Sequence, residues 1–193
     1  MDQIKKGFVK KTLKLKSFTE EQTAILSENF TLHKQLDEGD FFLQEGQVCR
    51  HLTLITAGLF RYFYHTEQGE VTRWISFEGD FMTSLASFIK EKPAVENIQA
   101  IKPAELWMMP KTVWVNLYEK HPFLQRFWLK TIEYNYIGME ERVFHQIALS
   151  AEQRYQWMLE NYPRFNKEVP AKYIASMLGI TPRHLSRIRA KRG

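Results

Sequence analysis

The chain has 193 residues, of which 44% are hydrophobic and 25% charged, a globular composition that argues against a disordered, collagen-like or low-complexity protein. Its one cysteine, Cys49, supplies neither an intrachain disulfide nor the thiolate cluster of an iron–sulfur or Cys-based zinc site, so a reducing, cytoplasmic address is expected. The net charge of +5 divides unevenly: +5 in residues 1–16, −7 in 17–163 and +7 in 164–193, a basic end on an acidic body that suits nucleic acid.

Residues 7–16 alternate apolar residues with Lys and lack the apolar stretch of a signal peptide; for 1–16 a solvated, Lys-rich lead is expected. No apolar run reaches the roughly 18 residues of a membrane span, and no membrane partner is expected. Over 17–30, Thr19 stands three residues before Gln22 as in a capping box. Ala24, Ile25, Leu26 and Phe30 follow at helical spacing, which predicts a short helix.

From Gln35 to Pro110 the chain changes to short apolar and aromatic runs broken by Gly39, Gly46, Gly58, Gly69 and Gly79. Their spacing is close to the roughly 8–12 residues between successive strands of an all-β roll or sandwich. Strands are predicted over Leu52–Thr56, Leu59–Tyr64, Val71–Phe77, Asn97–Ile101 and Glu105–Met109, among about eight in all.

Beyond Pro110 the period becomes helical. A short helix is predicted over 111–119 and a long one from Phe123 to Leu149. Leu129, Ile132, Tyr136, Met139, Val143 and Ile147 share one face of the long helix; Phe123, Phe127, Tyr134, Ile137 and Phe144 lie on the opposing side. Two apolar faces need two packing partners. The first stripe has near-heptad spacing, which predicts a two-fold dimer seam through Leu129, Ile132, Tyr136, Met139 and Val143, with the other face lying on the chain's own β domain.

The most specific motif is at the end, from Ala171 to Arg189. Ala175 is the small residue a helix crossing needs, and Gly179, four positions later, tolerates a left-handed turn. Ile174, Leu178, Ile180, Leu185 and Ile188 fill the wedge between two helices, Thr181 caps the second and Pro182 suits its first turn. With Leu185 and Ile188 turned inward, Arg183, Arg187 and Ala190 point outward, Ser186 and Lys191 beside them and His184 on a flank. That is a recognition helix: arginines four apart each reach guanine edges in the major groove. Thr181, Arg189, Lys191 and Arg192 suit phosphates. The predicted DNA-binding set is Thr181, Arg183, His184, Ser186, Arg187, Arg189 and Lys191.

The order of glycine-punctuated β-roll, long two-faced helix and C-terminal helix-turn-helix resembles the Crp/Fnr family of bacterial transcription regulators. Glu38-Gly39-Asp40, Glu45-Gly46, Gly58, Gly69 and Glu78-Gly79-Asp80-Phe81 are similar to its cyclic-nucleotide-binding-type roll. Ser150–Tyr155, with Asn161-Tyr162-Pro163 after it, is similar to the start of its DNA-binding domain. The resemblance runs from about Thr19 to Lys191. It implies an α+β protein with a sensor β-roll and N-terminal helix in 1–110, a linker and dimerisation helix in 111–149, and a winged-helix-like helix-turn-helix domain in 150–193. It implies a homodimeric, non-enzymatic regulator on an inverted-repeat operator, with double-stranded DNA, RNA polymerase and an unidentified small-molecule effector as partners.

The departures narrow that expectation. Cyclic-nucleotide binders of the family carry a Gly-Glu pair and, after a short helix, an Arg that pairs with the phosphate. Here the acidic residue is Asp80, and Pro93–Asn97 offers Glu96 and no arginine, so cyclic AMP is not the expected effector. The oxygen-sensing branch needs a cysteine cluster, and the six histidines have no distinguishing context. Few residues follow Arg189, so the wing is reduced or absent, or is built from the strand-like stretch Phe165–Val169. Asp80, Thr83, Ser84, Asn97, Arg61 and Arg73 are polar positions of the roll equally explained as turn caps or surface residues. The alternative class is a cupin-like β-roll enzyme or small-molecule carrier with a helical tail. The sequence lacks its His-x-His pair, a phosphate loop and a nucleophile elbow; no metal ligand, cofactor or catalytic residue is expected.

Overall fold

The computed structural model describes residues 18–191; the N-terminal lysines and Arg192 lie outside them. Helix α1 (Glu20–Asn29) begins where the capping box predicts: Thr19 Oγ1 accepts from the Gln22 amide at 3.2 Å and Gln22 Oε1 from the Thr19 amide at 3.1 Å. Its inward residue Leu26 and the following Phe30 are buried.

Eight strands follow: β1 (Leu32–Leu36), β2 (Phe41–Leu43), β3 (His51–Ala57), β4 (Leu59–Thr66), β5 (Gly69–Phe77), β6 (Phe81–Met82), β7 (Asn97–Ala100) and β8 (Ala104–Pro110), with α2 (Leu85–Lys90) between β6 and β7. They form two four-stranded sheets, β1-β8-β3-β6 and β2-β7-β4-β5. Leu32 to Leu36 run antiparallel to Met108 to Ala104, and Phe60 to Phe63 antiparallel to Ala100 to Asn97. Leu54, Ile55, Phe60, Phe63, Ile75, Ile98 and Leu106 are wholly buried and make the core of the roll. Residues distant in sequence thus pair across it, a roll of non-local antiparallel pairs rather than a chain of hairpins.

Gly58 joins β3 to β4 with φ +93°, and a Cβ there would lie 2.6 Å from both the Ala104 Cβ and the Pro103 carbonyl oxygen. Only glycine fits so close a backbone approach.

Two compact units are present. Trp74–Gln125, with the described residues up to Glu70, forms the first; Val71–Arg73 and the residues from Arg126 onward form the second. The division falls within the long helix α4 (Pro122–Ala148), which follows α3 (Lys111–Lys120). In α4 only Leu124 is buried. Leu129, Tyr136, Met139, Val143 and Ile147 on one stripe are exposed, and so are Tyr134, Ile137 and Phe144 on the other; Ile132 is half-buried. Both stripes thus carry large apolar side chains that stay exposed, while Phe123 and Phe127 of the second are half-buried.

The second unit continues with α5 (Ala151–Asn161), α6 (Pro163–Glu168), α7 (Ala171–Met177) and α8 (Pro182–Ala190). Ser150 and Gln153 form a second reciprocal capping box at the start of α5. The stretch Phe165–Val169, read from sequence as strand-like material for a wing, is instead helical through Glu168. Pro163 sits at the first position of α6, Arg164 Nε donates to Glu168 Oε1 at 2.7 Å one turn on, and Phe165 and Val169, four residues apart, are both buried. No described strand follows α8, so no wing is present among the described residues.

Candidate nucleic-acid interface

Helices α7 and α8 meet as the motif requires. Ile174 and Ala175 are fully buried, Leu178, Leu185 and Ile188 nearly so, while Ile180 is half-buried. Gly179 takes φ +67°, and the amides of Gly179 and Ile180 donate to the carbonyls of Ser176 and Ala175 at 3.1 and 3.0 Å, which satisfies the end of α7. Thr181 is extended, its Oγ1 accepts from the His184 amide at 3.2 Å, and Pro182 opens α8.

Arg183, His184, Ser186 and Arg187 are exposed on α8, as is Thr181 at its start. Among the described residues neither Arg183 nor Arg187 is held by a protein partner, so both guanidinium forks point outward uncommitted. No acidic residue follows Glu168 in the sequence. Lys191 is exposed, with its Nζ 3.8 Å from Glu152 Oε2, a distance at which solvent screens most of the attraction.

Arg189 differs from its neighbours. Its Nε donates to the Tyr155 hydroxyl at 3.0 Å and its Nη2 to Asn166 Oδ1 at 2.9 Å, while the Tyr155 hydroxyl donates to the same Asn166 oxygen at 3.0 Å. Arg189, one of the residues expected at a phosphate, therefore spends two of its nitrogens inside the domain. The helical wheel carries the signal: Arg189 lies four residues after buried Leu185, about 40° from it around the axis. Arg154, absent from the predicted set, donates from Nη1 to the Leu149 carbonyl at 2.7 Å and from Nη2 to the Leu178 carbonyl at 2.9 Å.

On α4, Tyr136, Met139, Val143, Phe144 and Ile147, with Glu140, line an open, mainly apolar groove of 320 Å³. Most of the large apolar side chains that stay exposed among the described residues lie on this helix.

The polar positions of the roll serve it internally. Asp80 Oδ2 accepts from the Phe77 amide at 3.0 Å and closes the β5–β6 turn. Thr83 Oγ1 donates to the His51 carbonyl, and Arg61 is buried against Gln99 and Glu70. Ser84 Oγ donates to Glu96 Oε1 at 2.8 Å with both residues buried, so Ser84 gives α2 no side-chain cap. Asn97 Oδ1 accepts from the Glu45 amide, and its buried Nδ2 has no partner. Lys90 and Lys92 are exposed. Among the described residues no three His, Cys, Asp or Glu side chains converge as a metal site, and no helix is long and apolar enough to cross a membrane.

Residues 33–121 match the family model of the cyclic nucleotide-binding domain. No curated protein matches the sequence. The fold is similar to that of a structure assigned to the Crp/Fnr family of transcriptional regulators from Eubacterium rectale, at 16% identity over 92% of this chain and 84% of that one, TM-score 0.66. It is also similar to FixK2 from Bradyrhizobium japonicum (12% identity, 83% of each chain, TM-score 0.72). A variant of CooA from Carboxydothermus hydrogenoformans aligns over 93% of this chain and 82% of its own, at 15% identity and TM-score 0.72. Residues 33–121 thus match the cyclic nucleotide-binding domain, and the chain as a whole has an α+β fold similar to that of a structure assigned to the Crp/Fnr family of transcriptional regulators.

Proposed function

We propose that this protein is a sequence-specific DNA-binding transcription regulator that acts as a homodimer on an inverted-repeat operator. The observation that carries the reading is the outer face of α8, where Arg183 and Arg187 stand one turn apart, exposed and uncommitted, on a helix set by a left-handed glycine turn and a capped N-terminus. Such arginines bind guanine O6 and N7 in the major groove, Ser186 and His184 flank them, and the Thr181 hydroxyl and Lys191 serve adjacent phosphates. The stripe of exposed Leu129, Tyr136, Met139 and Val143 with half-buried Ile132 is the dimer seam in this reading, because a second copy buries it at near-heptad spacing. A two-fold dimer presents its recognition helices about 34 Å apart, one turn of DNA. RNA polymerase and a small-molecule effector are its further partners.

A cyclic nucleotide does not fit the roll as the effector. The segment that runs from Thr83 through α2 to Asn97 buries the acidic side chain of Glu96 on Ser84, and its two lysines are exposed. A buried acidic group repels a phosphate, and no arginine of the segment answers it. Selection of random duplexes on the purified protein, with and without small-molecule extracts, tests the whole reading. Recovery of an inverted repeat with half-sites one turn apart is expected; recovery of no common sequence overturns it.

A further inference from the structure

We infer that Tyr155, Asn166 and Arg189 form a positioning device that sets the roll and tilt of the recognition helix, and that Arg189 determines specificity through this device rather than by holding a phosphate. The inference rests on the DNA-binding reading above and assigns a role to residues which that reading leaves aside.

Three hydrogen bonds close a ring: Arg189 Nε to Tyr155 Oη, Tyr155 Oη to Asn166 Oδ1, and Arg189 Nη2 to the same Asn166 oxygen, at 3.0, 3.0 and 2.9 Å. Arg189 fixes the amide orientation, since its Nη2 can only donate and an amide NH2 turned toward it would find no acceptor. Tyr155 is buried in α5, Asn166 lies on α6, and the Arg189 guanidinium also stands 5.7 Å from the Tyr155 ring centroid. A rigid fork on one helix thus grips two others.

Position gives the ring its consequence. Helix α8 is held at its start by the Thr181 cap and in its middle by Leu185 and Ile188, contacts that are apolar and tolerate rotation of the helix about its axis. Arg189 supplies the directional hold on the last turn, two residues beyond Arg187 and on the inward side of the helix. Bidentate base contacts demand a fixed fork geometry, whereas a lysine on a phosphate tolerates displacement, so a helix free to roll loses base discrimination first and general DNA affinity last.

The test measures the affinity of the full chain for its selected operator and for a random duplex, across salt, at a temperature where circular dichroism shows every variant folded. The variants are Tyr155→Phe, Asn166→Ala, Arg189→Lys and the double variant Tyr155→Phe/Arg189→Lys. Each single variant is expected to weaken operator binding about tenfold, with random-duplex affinity and the salt slope unchanged, and the double variant to be no worse than either parent by more than about twofold, because the bonds act as one unit. Tyr155→Phe never removes a charge, so its effect separates positioning from phosphate contact. Unchanged operator affinity and base preference in Tyr155→Phe overturns the inference. So does an Arg189→Lys variant that loses random-duplex and operator binding equally with a smaller salt slope. A wild-type protein with no operator preference overturns the DNA-binding reading itself, and this inference with it.

Discussion

The Arg154 side chain joins two helix ends: its Nη2 donates to the carbonyl of Leu178, the C-cap of α7, at 2.9 Å, and its Nη1 to the Leu149 carbonyl just before α5, at 2.7 Å. Terminal helix carbonyls have no intrahelical partner, and a guanidinium fork satisfies two of them at once. Arg154→Ala removes both donors and is expected to destabilise the helical unit by about 2 kcal/mol, with Arg154→Lys recovering part of it. Urea unfolding followed by circular dichroism measures the change; equal midpoints for wild type and alanine variant refute this role.

Arg183→Ala and Arg187→Ala act on binding, not on stability. Neither side chain holds a protein partner among the described residues, so each substitution is expected to leave the unfolding midpoint within experimental scatter. Each costs about 1–3 kcal/mol of operator affinity and relaxes preference at one base pair. Lys191→Ala is expected to weaken all duplexes alike and to lower the salt slope by about one. Fluorescence anisotropy on operator and scrambled duplexes at several salt concentrations separates the two behaviours.

Much of this was legible from local chemistry. The Thr19–Gln22 capping box, Gly179 in the turn and Thr181-Pro182 at the start of α8 are decided within a few residues, and the structure places each as read. The Ser150–Gln153 box has the same spacing and is open to the same reading. The failures have equally physical origins. Phe165–Val169 reads as strand-like, but its apolar ends are four residues apart, a helical spacing, and Pro163 starts a helix before it. Asp80, for which the sequence leaves a turn cap and a surface position open, caps the turn: its carboxylate accepts from an amide three residues back. Arg189 and Arg154 meet partners 23 to 34 residues away in sequence, and no local pattern announces such pairs. The pairing of β3 with β8 and of β4 with β7 is long-range in the same way.

The seam on α4 makes a prediction about assembly. Val143 and Met139 are 54% and 50% exposed in the single chain, far more than an apolar side chain in a finished core, and both line the apolar groove with Phe144 and Ile147. Met139→Glu or Val143→Glu places a charge at the centre of the proposed seam and is expected to convert the dimer to a monomer, with operator affinity falling as the second half-site is lost. Sedimentation velocity at several protein concentrations reports the state. A dimer of undiminished strength in both variants moves the interface to the opposing stripe of Tyr134, Ile137 and Phe144.

Gly58 tests the roll. Alanine there must adopt φ +93° and place its Cβ 2.6 Å from the Ala104 Cβ and the Pro103 carbonyl, atoms that belong to the backbone and first carbon of the β7–β8 connection and cannot swing aside. Gly58→Ala is expected to destabilise the first unit by about 2–4 kcal/mol, more than the conformational cost of φ alone. Gly69→Ala, also at positive φ but with open space around its Cβ, isolates that conformational cost. Similar losses in the two variants contradict the close approach at Gly58.

Tyr162 supplies a pH test for the helical unit. Burial of its phenol, the neighbouring Tyr134 and the hydrogen bond between the two push its pKa up to about 12, against an ordinary value of about 10. The folded unit therefore holds this proton after the unfolded chain has released it. Its contribution to stability is complete below about pH 10 and is lost as pH rises from there through about 12, since across that window the folded state binds more protons than the unfolded one. Tyr162 also packs edge-on against Trp157 and Phe165, so Tyr162→Phe keeps the ring contacts while removing the titrating hydroxyl. The informative quantity is the difference between wild type and Tyr162→Phe in urea midpoint, measured at intervals from pH 9 to 12, because every other group is common to the two proteins. That difference is expected to move in favour of the variant as pH rises. A difference that stays flat across the window refutes the elevated pKa, and a phenol absorbance titration with one late-ionising tyrosine missing from the variant identifies the group directly.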